Sequence, residues 1–222
     1  MAIGQSAKGS SGSTSSLATG SVNTQATGST FIVGVHNTDA GALTGLSDNK
    51  GNTYTPLGDE IGADPASRLY ICEDGTGGSG HIVTATFSPA QAAVVLFLEI
   101  TSADPLDQNA AAKIDSASPF TSNSITPTAA TATLISYIAG DSGSNPATMA
   151  ESTGFTIAQQ ETNASSFWAG ALAYREVSAI AAYSSSWTQS GAGECRVWIF
   201  NLAGAAAGVV VPVFMNQYRQ RR

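Results

Sequence analysis

Apolar residues recur at every second position in short runs along this chain, and Gly, Asn, Asp or Ser bounds the runs. A period of two belongs to strands with one buried face. In the first half it predicts strands at STFIVGV (29–35), NTYTPL (52–57), RLYIC (68–72), HIVTATF (81–87) and AVVLFLEI (93–100). In the second it predicts ATLISYI (132–138), GFTIAQ (154–159), WAGALAYR (168–175), SAIAAYSSS (178–186) and CRVWIFNL (195–202). An offset of 103 lays one set on the other, with Phe31 over Leu134, Leu46 over Met149, Asp48 over Glu151 and Gly51 over Gly154. Facing agrees as well. Val94, Leu96, Leu98 and Ile100 share one strand face, and their counterparts Arg196, Trp198, Phe200 and Leu202 are apolar in three of four positions. The pattern reads as one unit written twice.

No 3.6-residue period persists, although SPAQAA (88–93) and DQNAAAK (107–113) could each make a helical turn. Strands with Gly-rich turns and no crossover helices predict an all-β, antiparallel β-sandwich. Its units are two pseudo-repeated sets of five strands. Each unit alone is small for a self-sufficient core, so the halves are expected to close on each other rather than hang as two beads. The expected organisation has an extended arm and edge strand at 1–28 and one two-repeat body at 29–203. Within that body, 29–102 and 131–203 are the repeats and 103–130 the connection, and 204–222 follows as a strand and basic tail. LATGSVNTQATG (17–28) and GVVVPVF (208–214) supply edge strands, and DNKG (48–51) is the tip of a hairpin.

Charge changes the picture. Only 11% of residues are charged, against roughly 25% in ordinary soluble domains. A surface of Ser, Thr, Asn and Gly repels its neighbours little and suits assembly. The net charge of −7 argues against nucleic-acid binding, which needs a cationic field. Arg219, Arg221 and Arg222 stand together in the last four positions, and a basic tail on an acidic body suits an acidic partner. Cys72 and Cys195 lie in apolar runs and read as buried free thiols. Trp198 to Met215 is uncharged for 18 residues but is interrupted by Asn, Gly and Pro. It reads as strand and turn rather than a membrane span.

Candidate chemistry is thin. His36 and His81 could each join a Ser–His–Asp arrangement, but no serine sits in a nucleophile elbow, and both read as polar strand-end residues. No His/Cys/carboxylate cluster specifies a metal, and Asp48 with Asn52 lacks the carboxylate ladder of a calcium loop. GTGGSG (75–80) matches a dinucleotide fingerprint in letters only, because a strand follows it; it reads as a loose hairpin loop. The acid pairs Asp104/Asp107 and Glu73/Asp74 would need a cleft to act as glycosidase carboxylates. Trp198 reads as core and Trp187, in SSSWTQSG, as the exposed ring that would contact a sugar.

Taken together, GSTFIVGV, LSDNKGNTYTPL and the matching second half resemble a repeated, jelly-roll-like β-sandwich module of tailed-phage virion proteins and secreted bacterial proteins. The resemblance covers most of residues 29–203 and implies an attachment or building part, with no catalytic residue, metal or cofactor to carry over. MAIGQSAKGSSGS lacks the order of a secretory signal, which, with the PVFMNQYRQRR terminus, favours a virion location. The expectation is a non-enzymatic structural protein of a bacteriophage particle, either capsid decoration (cement) or tail-associated. It would be homo-oligomeric and bind other virion proteins, with Arg219, Arg221 and Arg222 at the contact and no nucleic acid or membrane involved. The alternative is a secreted or surface carbohydrate-binding or adhesion module that meets a host-surface glycan through Trp187.

Overall fold

Two strands are buried on both faces, and the rest of the fold is arranged around them. The computed structural model describes residues 2–204 except 64, 103, 111, 142–148, 163–167 and 192. β2 (Ser29–Asn37) is buried along its whole length and β10 (Ala132–Asp141) along all but its last residue. In sequence order the first half contributes β1 (Ile3–Ala18), β2, β3 (Leu43–Asp48), β4 (Thr55–Pro56), β5 (Ala66–Gly75) and β6 (Val83–Ile100). The second contributes β7 (Leu106–Asn109), β8 (Lys113–Asp115), β9 (Phe120–Thr121), β10, β11 (Met149–Glu151), β12 (Thr156–Glu161), β13 (Trp168–Val177), β14 (Ser186–Gln189) and β15 (Cys195–Ala203). All pairings between these strands are antiparallel, and no helix occurs among the described residues. The all-β antiparallel class is the one the alternation predicts.

The two halves share one order of pairing. β2 lies between β5 and β6, and β10 between β13 and β15. β4 flanks β5 as β12 flanks β13, and β3 pairs the start of β6 as β11 pairs β14. β1 runs along β6, while β7 and β8 run along β15 and β9 along β14. Residues 103–130, expected as a connection, therefore supply three strands at the margin of the second half. The stretch 88–93 is extended inside β6, and of 107–113 the residues 107–109 and 113 lie in β7 and β8.

Alternation assigns each apolar side chain to one of three cores. Even positions of β6 (Val94, Leu96, Leu98, Ile100) meet Tyr137, Trp198, Phe200 and Leu202 in a core shared by both halves. Odd positions of β2 and β6 (Phe31, Val33, Val35, Val95, Phe97) turn the other way, onto Val83, Ala85 and Phe87 of the same half. In the second half Leu134, Val197 and Ile199 do likewise with Met149 and Trp187. Behind the first six-stranded sheet lie its own β3 and the start of β6, and behind the second lies the three-stranded sheet of β11, β14 and β9. The six-stranded sheets close face to face, which excludes two separate beads.

Other expectations need correction. The run at 178–186 is not one strand: Ser178 to Ala182 are exposed and β14 begins at Ser186. Residues 48–51 are not a hairpin tip, because β3 pairs β6 whereas β4 pairs β5. For the same reason 75–80 is not a hairpin loop: it carries the chain from β5 past β2 to β6. β1 starts at Ile3, and most of 19–28 is irregular. Trp198–Ala203, the start of the uncharged stretch, belongs to β15; 205–222, including the proposed 208–214 strand, lies outside the described residues.

The shared core has no slack at Gly34, where an added Cβ would stand 2.5 Å from the Tyr137 ring. Gly34→Ala is expected to cost about 1–3 kcal/mol through overpacking. Most of that loss should vanish in a Tyr137→Leu background, read as a double-mutant cycle in urea unfolding. Equal losses in both backgrounds would mean that the two sheets do not meet there.

Candidate functional site

The polar residues inside the body form four knots, three of them centred on carboxylates, and the first sits in the stretch that the offset of 103 aligns best. Asp48 Oδ1 accepts the backbone N–H groups of Lys50 and Asn52, both at 3.0 Å. Glu151 Oε2 accepts those of Thr153 at 2.8 Å and Phe155 at 2.9 Å. In both turns the acid at the first position holds the amides two and four residues on. Gly51 and Gly154, three residues on, take left-handed φ values of 81° and 88°, which a side chain would oppose. The residues that align in sequence therefore make the same turn.

Asp48 does more. Its other oxygen accepts Asn52 Nδ2 at 2.6 Å and Tyr54 OH at 2.8 Å, and His81 Nε2 lies 2.9 Å away. His81 Nδ1 is 3.1 Å from Thr24 Oγ1. Thr24–His81–Asp48 has the order of a nucleophile, a base and an orienting acid. Its surroundings make it a brace instead. The His81 and Asp48 side chains are fully buried. Thr24 is itself buried, and its Oγ1 already accepts the Gly78 N–H at 3.0 Å. Burial opposes the Asp48 charge, but the hydrogen bonds from Asn52, Tyr54 and His81 outweigh it and hold the carboxyl down at about 2. A carboxylate surrounded by N–H and O–H donors is also the wrong environment for the calcium that Asp48 and Asn52 were weighed for.

Glu99 is the second knot, 1% exposed at the end of β6. It accepts Gln5 N at 2.9 Å, Gln25 N at 2.7 Å and Ser29 Oγ at 2.8 Å, which ties the N-terminal arm to β6 at two points and β2 at a third. Asp107 is the third, accepting Thr128 N, Thr128 Oγ1 and Asn201 Nδ2 at 2.6–2.8 Å. It is thereby separated in role from Asp104, its expected partner, which lines a groove elsewhere. Glu73 accepts Leu106 N at 2.6 Å, and Asp74 is exposed. Neither acid pair faces a common cleft.

His36 is the fourth, on the face of β2 that meets the other half. It is fully buried, with Nδ1 2.6 Å from Ser67 Oγ and its ring set edge-on to Trp168 at 5.3 Å. Burial first, and then the nearby Arg196 guanidinium, press its pKa down to about 3, so the ring is neutral. Both histidines were expected at polar strand ends; both are interior. The cysteines are free and buried as expected, in the cores of different halves. Burial raises Cys72 to about 11 and Cys195 to about 12, which leaves neither a thiolate.

Trp187 is not the exposed ring that its polar neighbours suggested. It is fully buried, with Nε1 donating to Ser136 Oγ at 3.0 Å. The strand is short, and alternation turns Trp187 inward while Thr188 points to solvent. Trp168 and Trp198 are buried too. Arg219, Arg221 and Arg222 lie outside the described residues. Sequence reasoning missed Thr24 altogether. Glu99 did carry a signal, a single acid in the apolar run AVVLFLEI, because a charge on a buried strand has to be answered by donors.

A groove of about 550 Å³ opens at the strand ends, walled by Asp104, Ala132, Thr133, Glu176, Val177 and Gly204. Among the described residues no three His, Cys, Asp or Glu side chains gather as metal ligands, and no helix is long and apolar enough to cross a membrane. Comparison with protein families, with curated proteins and with solved structures finds no match.

Two predictions follow from the knots. His36 has a folded pKa below its ordinary 6.5, so the unfolded chain binds the extra proton between about pH 6.5 and 3. Stability is then complete above pH 6.5 and falls as the pH drops through that window, by on the order of 3 kcal/mol at pH 4. Asp48, whose carboxyl is held low, adds its own loss only below its ordinary 3.8. Urea midpoints from pH 7 to 4 should decline in the wild type and stay flatter in His36→Gln; parallel curves would exclude His36 as the cause. Second, Trp187→Ala should cost about 3–5 kcal/mol of stability. A variant as stable as the wild type would refute the buried position.

Proposed function

We propose that this chain is a non-enzymatic structural part of a bacteriophage particle, joined to neighbouring virion proteins through its sheet margins and termini. One observation carries the reading. The fold gathers its interior acids and histidines into braces for its own arms and turns, with Asp48, Glu99, Asp107 and Glu151 each holding backbone N–H groups. What it offers a partner is therefore a rigid body with little charge. The resemblance of GSTFIVGV and LSDNKGNTYTPL to the sandwich module of phage particle proteins supports the same reading, as does the basic PVFMNQYRQRR segment. The carbohydrate-binding alternative loses the ring from which it was argued, because Trp187 is buried.

The test is incorporation. The full-length chain is expected to co-sediment with particles, and removal of residues 216–222 to lower its occupancy about tenfold, equivalent to ~1.4 kcal/mol. The circular dichroism spectrum and urea midpoint of the shortened chain should not change. Undiminished occupancy would remove the tail from the contact, and no particle association at all would refute the assembly reading.

A further inference from the structure

The groove at the strand ends and the end of the chain meet at one residue. Gly204 forms part of the groove wall and donates its N–H to Thr131 O at 3.1 Å, and the chain passes from there to residues 205–222. The groove has an apolar floor, with Ala132 and Val177 buried, and Asp104 and Glu176 stand on its walls. Its volume, about 550 Å³, is that of a site for a few side chains rather than for a folded surface. A fitting occupant is a short segment that carries apolar groups and cations together. The sequence VFMNQYRQRR (213–222) is such a segment, with Phe214, Met215 and Tyr218 among Arg219, Arg221 and Arg222.

We propose that the groove receives residues 213–222 of a second copy of this chain, with apolar side chains on Ala132 and Val177 and arginines against Asp104 and Glu176. The inference rests on the reading of the chain as an assembly part. Reach permits it where the grooves face each other: the eight residues 205–212 ahead of the docking segment span up to roughly 27 Å, enough to cross between adjoining strand ends. Symmetry favours it. Because each chain leaves its body beside its own groove, two copies facing across a two-fold exchange segments in two identical contacts. Cationic side chains on an acidic body also make the contact sensitive to salt.

Charge reversal with rescue tests it on the full-length chain. Sedimentation velocity should show self-association that weakens at least tenfold in Arg219→Glu/Arg221→Glu/Arg222→Glu and equally in Asp104→Arg/Glu176→Arg. Combining the two sets should restore it to within about threefold, the residual gap of under 1 kcal/mol that altered ion-pair geometry leaves. Circular dichroism shows whether each variant is folded. If the tail reversal weakens association and the groove reversal does not, the segment docks elsewhere: the proposal falls while the assembly reading stands. Monomers at every concentration also overturn it. Trypsin that spares Arg219 in those monomers would indicate a segment seated in its own groove, and free cleavage would indicate no contact.

Discussion

The constraint on which the structure depends is that β2 and β10 have no solvent face. A strand buried on one side can place every polar group on the other. These two cannot, so each turns apolar side chains in both directions, one set into the core shared by the halves and one onto the strands packed behind it in its own half. Burial on this scale is the main stabilising term, about 1.5–3 kcal/mol for each large side chain. It also sets a strict condition on anything polar that remains inside. His36 lies on β2 and Glu99 on β6 beside it, and both are held by hydrogen bonds to neighbouring strands or arms. An unanswered group there would cost more than a surface group ever contributes.

That condition explains why the residues that looked like candidate chemistry became braces. A carboxylate inside a sandwich needs several donors, and the nearest source is the backbone of whatever irregular segment crosses the strand ends. Asp48 answers the turn after β3, Glu99 the arm between β1 and β2, and Glu151 the turn after β11. Loops without internal ladders are thereby tied to the sheets. A site for an external substrate would need some of these donors and acceptors left facing a cleft. The hydroxyl of Thr24, already accepting Gly78 N–H, shows that the best-formed constellation does not.

Much of this was legible in the sequence, and what was not has a physical reason. Nine of the ten runs carry strand, because burial against a sheet leaves a period of two in the letters, although 81–87 and 93–100 belong to the single strand β6 and 52–57 is strand only at Thr55–Pro56. Alternation failed at SAIAAYSSS, an apolar run that the fold leaves exposed, and at Trp187, whose inward turn depends on where a four-residue strand begins. It also missed β7 to β9, which are too short to display a period. The turns at Asp48 and Glu151 were legible only as a repeat. Their capping role follows from hydrogen bonds two and four residues away, which hold for an acid of either length. The Thr24–His81–Asp48 chain was out of reach, since it joins residues 24 to 57 positions apart through a fold that brings three segments together.

The differences between the halves show which property is kept and which is free. Glu99 faces Phe31 across the ladder, and Asn201 faces Leu134, the residue 103 positions after Phe31. Glu99 accepts the N–H of Gln25; the N–H of Thr128, again 103 positions on, is accepted by Asp107. The carboxylate stands on β6 in the first half and on the marginal β7 in the second, where Asn201 donates to it. The position of the charge differs between the halves while the bond it makes to the arm does not. The Asp107 carboxyl is pressed down to about 2, with burial opposing its charge and the Asn201 and Thr128 bonds outweighing that, as its neighbours do for Asp48. What each half requires, then, is an acceptor at the point where its arm crosses the sheet, supplied from whichever strand can reach. A requirement of that kind belongs to architecture. A catalytic carboxylate is fixed by the geometry of the atom it acts on, and moving it from one strand to another would abolish its chemistry.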